Sequence, residues 1–190
     1  IKVSHGDPLM AGKQTSEMLL VRRGAIDFAL ASTINWSPQI KELNLTALPF
    51  FVAQNPDRFK AIDAITGGKS GMLMAAAIEK TQVKFLGWSE NGFRELTTSK
   101  GPIHSVADMK GMKLRVCGTP IFADIFKALG TNPQAINWSE AVTGFQQGIV
   151  DGQENPTAGI NVPTKVWTWH KHSTDWHYMI DPLFITANQK

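Results

Sequence analysis

Cysteine is almost absent from this chain of 190 residues: Cys117 stands alone. That excludes an internal disulfide and any cysteine-based zinc site. Long apolar runs are missing as well. The longest clean stretch, Met72 to Ile78, falls far short of the ~20 residues that a membrane-spanning helix requires. Charge is sparse, at 18% of residues, and the net charge is only +3, with lysines and arginines scattered along the chain. Such a distribution has no basic stripe for a phosphate backbone, so no nucleic-acid partner is expected. There is no G-x-S-x-G elbow, and no histidine lies near Cys117 in sequence, so neither common nucleophile arrangement is signalled. Gly67-Gly68-Lys69-Ser70 is similar to the end of a phosphate-binding loop. That pattern, however, needs a glycine where Asp63 stands and a strand where a helix is expected. No nucleotide and no other cofactor is expected.

What is present reads as an ordinary globular chain, 43% hydrophobic. Helical and strand patterns alternate, which predicts an α/β fold with mainly parallel sheets flanked by helices. A helix is expected over Thr15 to Arg23, stopped by Gly24. The apolar run Ala25 to Ala31 reads as a buried strand, with Ser32 and Thr33 at its carboxyl end, where open α/β sheets place ligands. Asn55 caps the next predicted helix, with Pro56 at its first position and Phe59, Ile62 and Ile65 on one face. Ser70 to Lys80 reads as a helix and Val83 to Trp88 as a strand. Ser105 with Asp108 forms a capping-box pattern closed by Gly111. A strand surrounds Leu114 and Val116, and Thr119 caps a helix begun by Pro120. Ser139 starts another helix with Val142, Phe145 and Ile149 inward. A further helix is expected from Pro156 toward Trp169, and a last strand from Tyr178 to Thr186.

Three residues form the candidate site. Leu114 and Val116 share one strand face, which leaves Lys113, Arg115 and Cys117 on the other. Gly118-Thr119-Pro120 ends that strand, so Arg115 stands beside a helix N-terminus with free backbone donors. Arg94 opens the polar run after Asn91-Gly92-Phe93, and Asn155 closes Val150 to Asn155, where it could also cap a helix. Two guanidiniums and an amide make a receptor for a small carboxylate, because arginine grips that group through a planar fork. Ser32 and Gln14 are candidates for the far end of the ligand. His170, His172, Asp175 and His177 are crowded but lack metal-ligand spacing, and Trp167, Trp169 and Trp176 interleave with them. They read as a solvated helix end, and no metal is expected.

The segment Asp108-Met109-Lys110-Gly111-Met112-Lys113-Leu114-Arg115-Val116, then Lys127-Ala128-Leu129-Gly130, resembles a known family. So does Trp138-Ser139-Glu140 with Gln146 to Pro156, including Asp151-Gly152-Gln153-Glu154-Asn155-Pro156. Upstream, Arg23-Gly24-Ala25-Ile26-Asp27, Leu48-Pro49-Phe50 and Asn91-Gly92-Phe93-Arg94 also match. The family is that of the substrate-binding subunits of tripartite ATP-independent periplasmic (TRAP) transporters, the DctP type. The resemblance implies a two-lobed periplasmic binding fold with a ligand cleft between the lobes. Residues 1–92 would form lobe I, 93–180 lobe II, and 181–190 a strand returning to lobe I. It implies a periplasmic receptor, not an enzyme, that delivers a small organic anion, a carboxylate or a sulfonate, to membrane permease subunits. In that family the position of Arg115 pairs with the ligand carboxylate, Arg94 is a second arginine, Asn155 holds the same group, and Trp138 packs on the ligand. Cys117 stands where proline is usual, and Trp138 where phenylalanine is frequent. The family's first strand and helix would precede Ile1 and its later helices would follow Lys190, so the chain is expected to be a fragment. The residues alone leave one alternative, an enzyme of similar α/β fold acting on a small carboxylic acid.

Overall fold

Two long strands organise the molecule, a computed structural model that describes residues 13–190. Strand β2 (Val83–Thr98) pairs antiparallel with β6 (His172–Asn188) along most of its length. The other strands are β1 (Phe28–Ser32), β3 (Lys113–Val116), β4 (Asn132–Ala135) and β5 (Gly152–Pro156). They complete one sheet in the order β1-β6-β2-β5-β3-β4. The α/β class holds, but the sheet is mixed rather than mainly parallel. Only β3 with β4 and β3 with β5 run parallel, while β1–β6, β2–β6 and β2–β5 are antiparallel. A parallel partner needs a crossover connection. The long β2 and β6 supply most of the pairing, and they run in opposite directions.

The helices follow local signals closely. After a 3-10 turn at Gln14–Ser16, α1 (Glu17–Arg23) ends at Gly24, whose φ of 71° is the left-handed conformation that suits glycine. Helices α2 (Thr33–Trp36), α3 (Arg58–Gly67) and α4 (Lys69–Glu79) precede β2. Helix α5 (Pro120–Ala128) has Thr119 before it and Pro120 at its first position, and α6 (Trp138–Gln146) follows β4. Asp108 accepts from the Ser105 backbone N–H at 2.8 Å, which completes the predicted capping box.

Five expectations are corrected. Strand β1 is not buried on both faces: Phe28 and Leu30 are 66% and 59% exposed, because β1 is an edge strand covered on one side only. Asp57, not Asn55, caps α3, accepting from Lys60 N at 3.0 Å, while Asn55 folds back onto the Asp57 N–H in a local turn. Ile149 lies past the end of α6 and is exposed. No α-helix follows Pro156. Residues 152–156 are drawn into the ladder beside β2, and only a π turn (Thr157–Asn161) and a 3-10 turn (Val166–Thr168) lead to β6. Strand β6 begins at His172, so His172 and His177 sit on a strand and not at a helix end.

Two apolar cores lie along the long pair of strands. Trp36, Leu43, Ile78, Val83 and Phe184 anchor the first, with α1 and α4 against β1 and β6. Leu96, Leu114, Val116, Phe122, Phe126 and Tyr178 anchor the second, around β3 and α5. Each of β2 and β6 contributes to both. The close approach of β5 to β2 depends on Gly152. A Cβ there would lie 2.6 Å from the Thr97 carbonyl oxygen, 3.1 Å from Thr98 Cγ2 and 3.2 Å from Leu114 Cδ1. Backbone in the middle of a ladder has no room to retreat. Gly152→Ala should therefore destabilise the fold by about 1–3 kcal/mol, read as a lower midpoint in urea unfolding.

Candidate functional site

Gln14, Ser32, Arg94, Arg115, Trp138 and Asn155, the six residues singled out in the sequence, all line one cavity of about 540 Å³. They reach it from the first turn before α1, the end of β1, mid-β2, β3, the start of α6, and β5. A second depression, of about 570 Å³, lies among Arg22, Arg23, Gln82 and residues 188–190 at the opposite end of β2 and β6. Its lining is mostly exposed chain surface, with no buried charge.

Arg115 is the decisive group. Strand β3 is paired on both edges, and Arg115 on it is 2% exposed. Its Nε donates to the Ile136 carbonyl at 2.9 Å, which fixes the plane of the fork. The Trp138 ring stands 5.3 Å from its Cζ, at cation–π range. Among the described residues no carboxylate forms an ion pair with it, and no acceptor meets its two terminal nitrogens. Burial pulls its pKa below the ordinary arginine value; Cys117 and Glu154 counteract this, and Arg94 adds to it. Its terminal N–H groups, without an acceptor among the described residues, border the cavity, where an incoming anion can meet them.

Arg94 is arranged in the opposite way. It lies in the middle of β2, not at the end of a strand, and is 4% exposed. Its Nε and Nη2 grip the Glu154 carboxylate, with Nη2 at 2.9 Å from Oε1, and Nη1 donates to Asp181 Oδ2 at 3.1 Å. Burial alone would lower its pKa, but Glu154 and Asp181 hold it well above the usual value. Nη2 also donates to Asn155 Oδ1 at 3.0 Å. Arg94 thus borders the cavity, but its fork is occupied by the protein's own carboxylates. Through Nη2 it also holds the Asn155 amide at the cavity's edge. Asn155 in turn donates to Gln153 and caps no helix, since it belongs to β5.

Around these residues lies a polar network that the sequence reading did not assign. Asp181 accepts from Ser32 Oγ at 2.6 Å and Asn91 Nδ2 at 3.0 Å as well as from Arg94. Tyr178 Oη donates to Glu154 Oε2 at 2.7 Å. Burial raises the Tyr178 pKa well above the ordinary phenol, and Glu154 raises it further, so it remains a donor. Glu17 reaches the cavity from α1, with Oε2 accepting from Trp36 Nε1 at 3.0 Å. Gln14 Oε1 accepts from the Trp138 backbone N–H at 3.3 Å and so ties the turn before α1 to the start of α6. Asp181, set in the apolar run Met179-Ile180-Asp181-Pro182-Leu183, was the available signal, because a buried carboxylate demands partners; Glu154, in the polar run Gln153-Glu154-Asn155, carried none. The histidines lie elsewhere. His170 is buried against Thr97 and Phe145, with a pKa pushed down to about 4 by burial, and His177 pairs with Glu95 at 3.0 Å.

The sequence profile described as bacterial extracellular solute-binding protein, family 7 (DctP), matches residues 6–190. The chain belongs to the DctP family. Among relatives, it is 32% identical over 171 residues to the 2,3-diketo-L-gulonate-binding periplasmic protein of Escherichia coli K12, covering 89% of this chain and 50% of that one. A solved TRAP periplasmic solute-binding protein from Ralstonia eutropha, holding (S)-2-hydroxy-2-methyl-3-oxobutanoate, is 47% identical with a TM-score of 0.93. It covers all of this chain, which spans 59% of it. The sugar acid-binding protein of Advenella mimigardefordensis, in complex with galactonate, is 26% identical with a TM-score of 0.85, covering 92% of this chain and 55% of its own. This DctP-family chain spans about half the length of the curated relatives it matches. Its α/β fold is theirs. No helix among the described residues is long and apolar enough to cross a membrane.

Proposed function

We propose that the protein is the periplasmic substrate-binding component of a TRAP transporter, holding a small organic acid by its carboxylate on Arg115 and passing it to membrane permease subunits. The observation that carries this reading is the buried Arg115 fork, without an acidic partner among the described residues, opening on a cavity of about 540 Å³. Asn155, placed by Arg94, and Trp138 complete the grip on the carboxylate. Ser32 and Gln14 face the rest of the ligand. The role is capture and release, which membership of a solute-binding family supports.

On this reading residues 1–92 form lobe I, 93–180 lobe II, and 181–190 the strand returning to lobe I; the core around Trp36, Ile78 and Val83 and the core around Leu114, Phe122 and Phe126 support the division, although Ile34 and Ala47 also pack into the latter. The long β2 and β6 connect them. Ligand bridging the lobes shifts the population toward a closed state. Closure removes water from the cavity, and the Arg115–carboxylate attraction strengthens as the local dielectric falls. The relatives described above take 2,3-diketo-L-gulonate, (S)-2-hydroxy-2-methyl-3-oxobutanoate and galactonate: a keto acid, a hydroxy-oxo acid and a sugar acid. The same chemistry suits this cavity: one carboxylate, with hydroxyl or oxo groups beyond it.

A thermal-shift screen of organic acids against their neutral amides tests the reading. An acid that binds only the folded protein raises the melting temperature with concentration, whereas its amide, lacking the charge, leaves it in place. If no acid shifts the transition, or amides shift it equally, Arg115 is not an anion receptor.

A further inference from the structure

The cavity contains a carboxyl group that the grip on the ligand's acid end does not use. Glu17 sits one helical turn after Gln14, on the same side of the chain. Gln14 touches the Trp138 backbone, and the Trp138 ring covers Arg115. Glu17 therefore borders the same small volume as the open guanidinium. Its Oε2 is held by the Trp36 indole, while Oε1 has no donor among the described residues.

The charge balance of the lining sharpens this. Arg94 faces two carboxylates, Glu154 and Asp181, so that buried group keeps one negative charge in excess. Arg115 offsets it. A ligand with one carboxylate places its charge on Arg115; a second carboxylate meets no free cation among the described lining residues, because Arg94 is committed, and it meets Glu17 instead. Burial lifts the Glu17 pKa to about 6 against the lowering hydrogen bond from Trp36, a sign that its charge is already poorly solvated. Leu30, Ile34 and Leu183 supply the remaining, apolar lining.

Resting on the Arg115 reading above, we infer that Glu17 makes this a site for singly charged acids carrying a hydroxyl or oxo group, and that it excludes dicarboxylates. Oε1 accepts a hydrogen bond from a ligand hydroxyl and repels a second carboxylate. Selectivity thus rests on a repulsive element as much as an attractive one.

Two acids of equal shape that differ by one charge provide the test: 2-hydroxy-2-methyl-3-oxobutanoate and 2-hydroxy-2-methylpropanedioate. Calorimetric titration of the protein should show the monoanion bound about tenfold or more tighter than the dianion, the scale of a like-charge contact in a partly shielded site. Glu17→Gln keeps an oxygen for the Trp36 indole and removes the charge, so the preference should shrink while the melting temperature of the free protein holds. Equal wild-type affinities, binding of neither acid, or an unchanged preference in Glu17→Gln overturns the inference. Should the variant fail to fold, the wild-type ratio still decides. The same titrations on Arg115→Lys separate the two readings. If that variant binds both acids normally, the carboxylate site itself is wrong; if it loses both while Glu17→Gln changes nothing, only the role of Glu17 is wrong.

Discussion

Arg115→Lys is expected to weaken acid binding by about 2–4 kcal/mol, roughly 30- to 1,000-fold, while the free protein keeps its melting temperature. Lysine preserves the charge but not the planar fork, so a carboxylate buried against it loses one of two parallel hydrogen bonds. It also loses the Nε bond to Ile136 that aims the group. Arg115→Met goes further. It removes a buried cation that has no acidic partner among the described residues, so the ligand-free protein should melt no lower than wild type while binding disappears. That combination marks a group kept for binding rather than for folding. Calorimetry with the acid that gives the largest thermal shift, paired with melts of the free variants, reads both quantities. Near wild-type affinity in Arg115→Lys would remove the residue from its role, and a large loss of stability in Arg115→Met would make it a structural cation instead.

Arg115 was legible because its signals are local. A short apolar strand, Gly118, and Thr119-Pro120 opening a helix all lie within six residues, and the structure keeps each of them. The end of α1 at Gly24 and the Ser105–Asp108 cap were legible for the same reason. Other features depended on what the sheet brings together. Arg94 reads as a second arginine of the receptor at the start of a polar run, yet its own partners lie 60 and 87 positions away. The β2–β5 register sets Leu96 opposite Glu154 and Glu95 opposite Asn155, and only that register puts Arg94 against them. Strand β2 itself reads as broken at Asn91-Gly92. It continues there through a register shift, with Gly92 at φ 105°. The exposure of Phe28 and Leu30 was hidden too, since an apolar run does not say whether one face of its strand or both will be covered.

Arg94→Met should be the most destabilising single change, by about 3–5 kcal/mol, because it strands two buried carboxylates with one cation removed. Glu154 is fully buried and Asp181 nearly so, and neither reaches enough water to replace the guanidinium. Glu154→Gln should be milder. It leaves Arg94 paired one-to-one with Asp181, and the amide oxygen still accepts from Tyr178. Urea unfolding of the three proteins checks the order. Glu154→Gln falling below Arg94→Met, or Arg94→Met costing no more than the loss of a surface charge, would show that Arg94 supports the fold through packing, such as its contact with the Phe122 ring at 5.4 Å, and not through its charge.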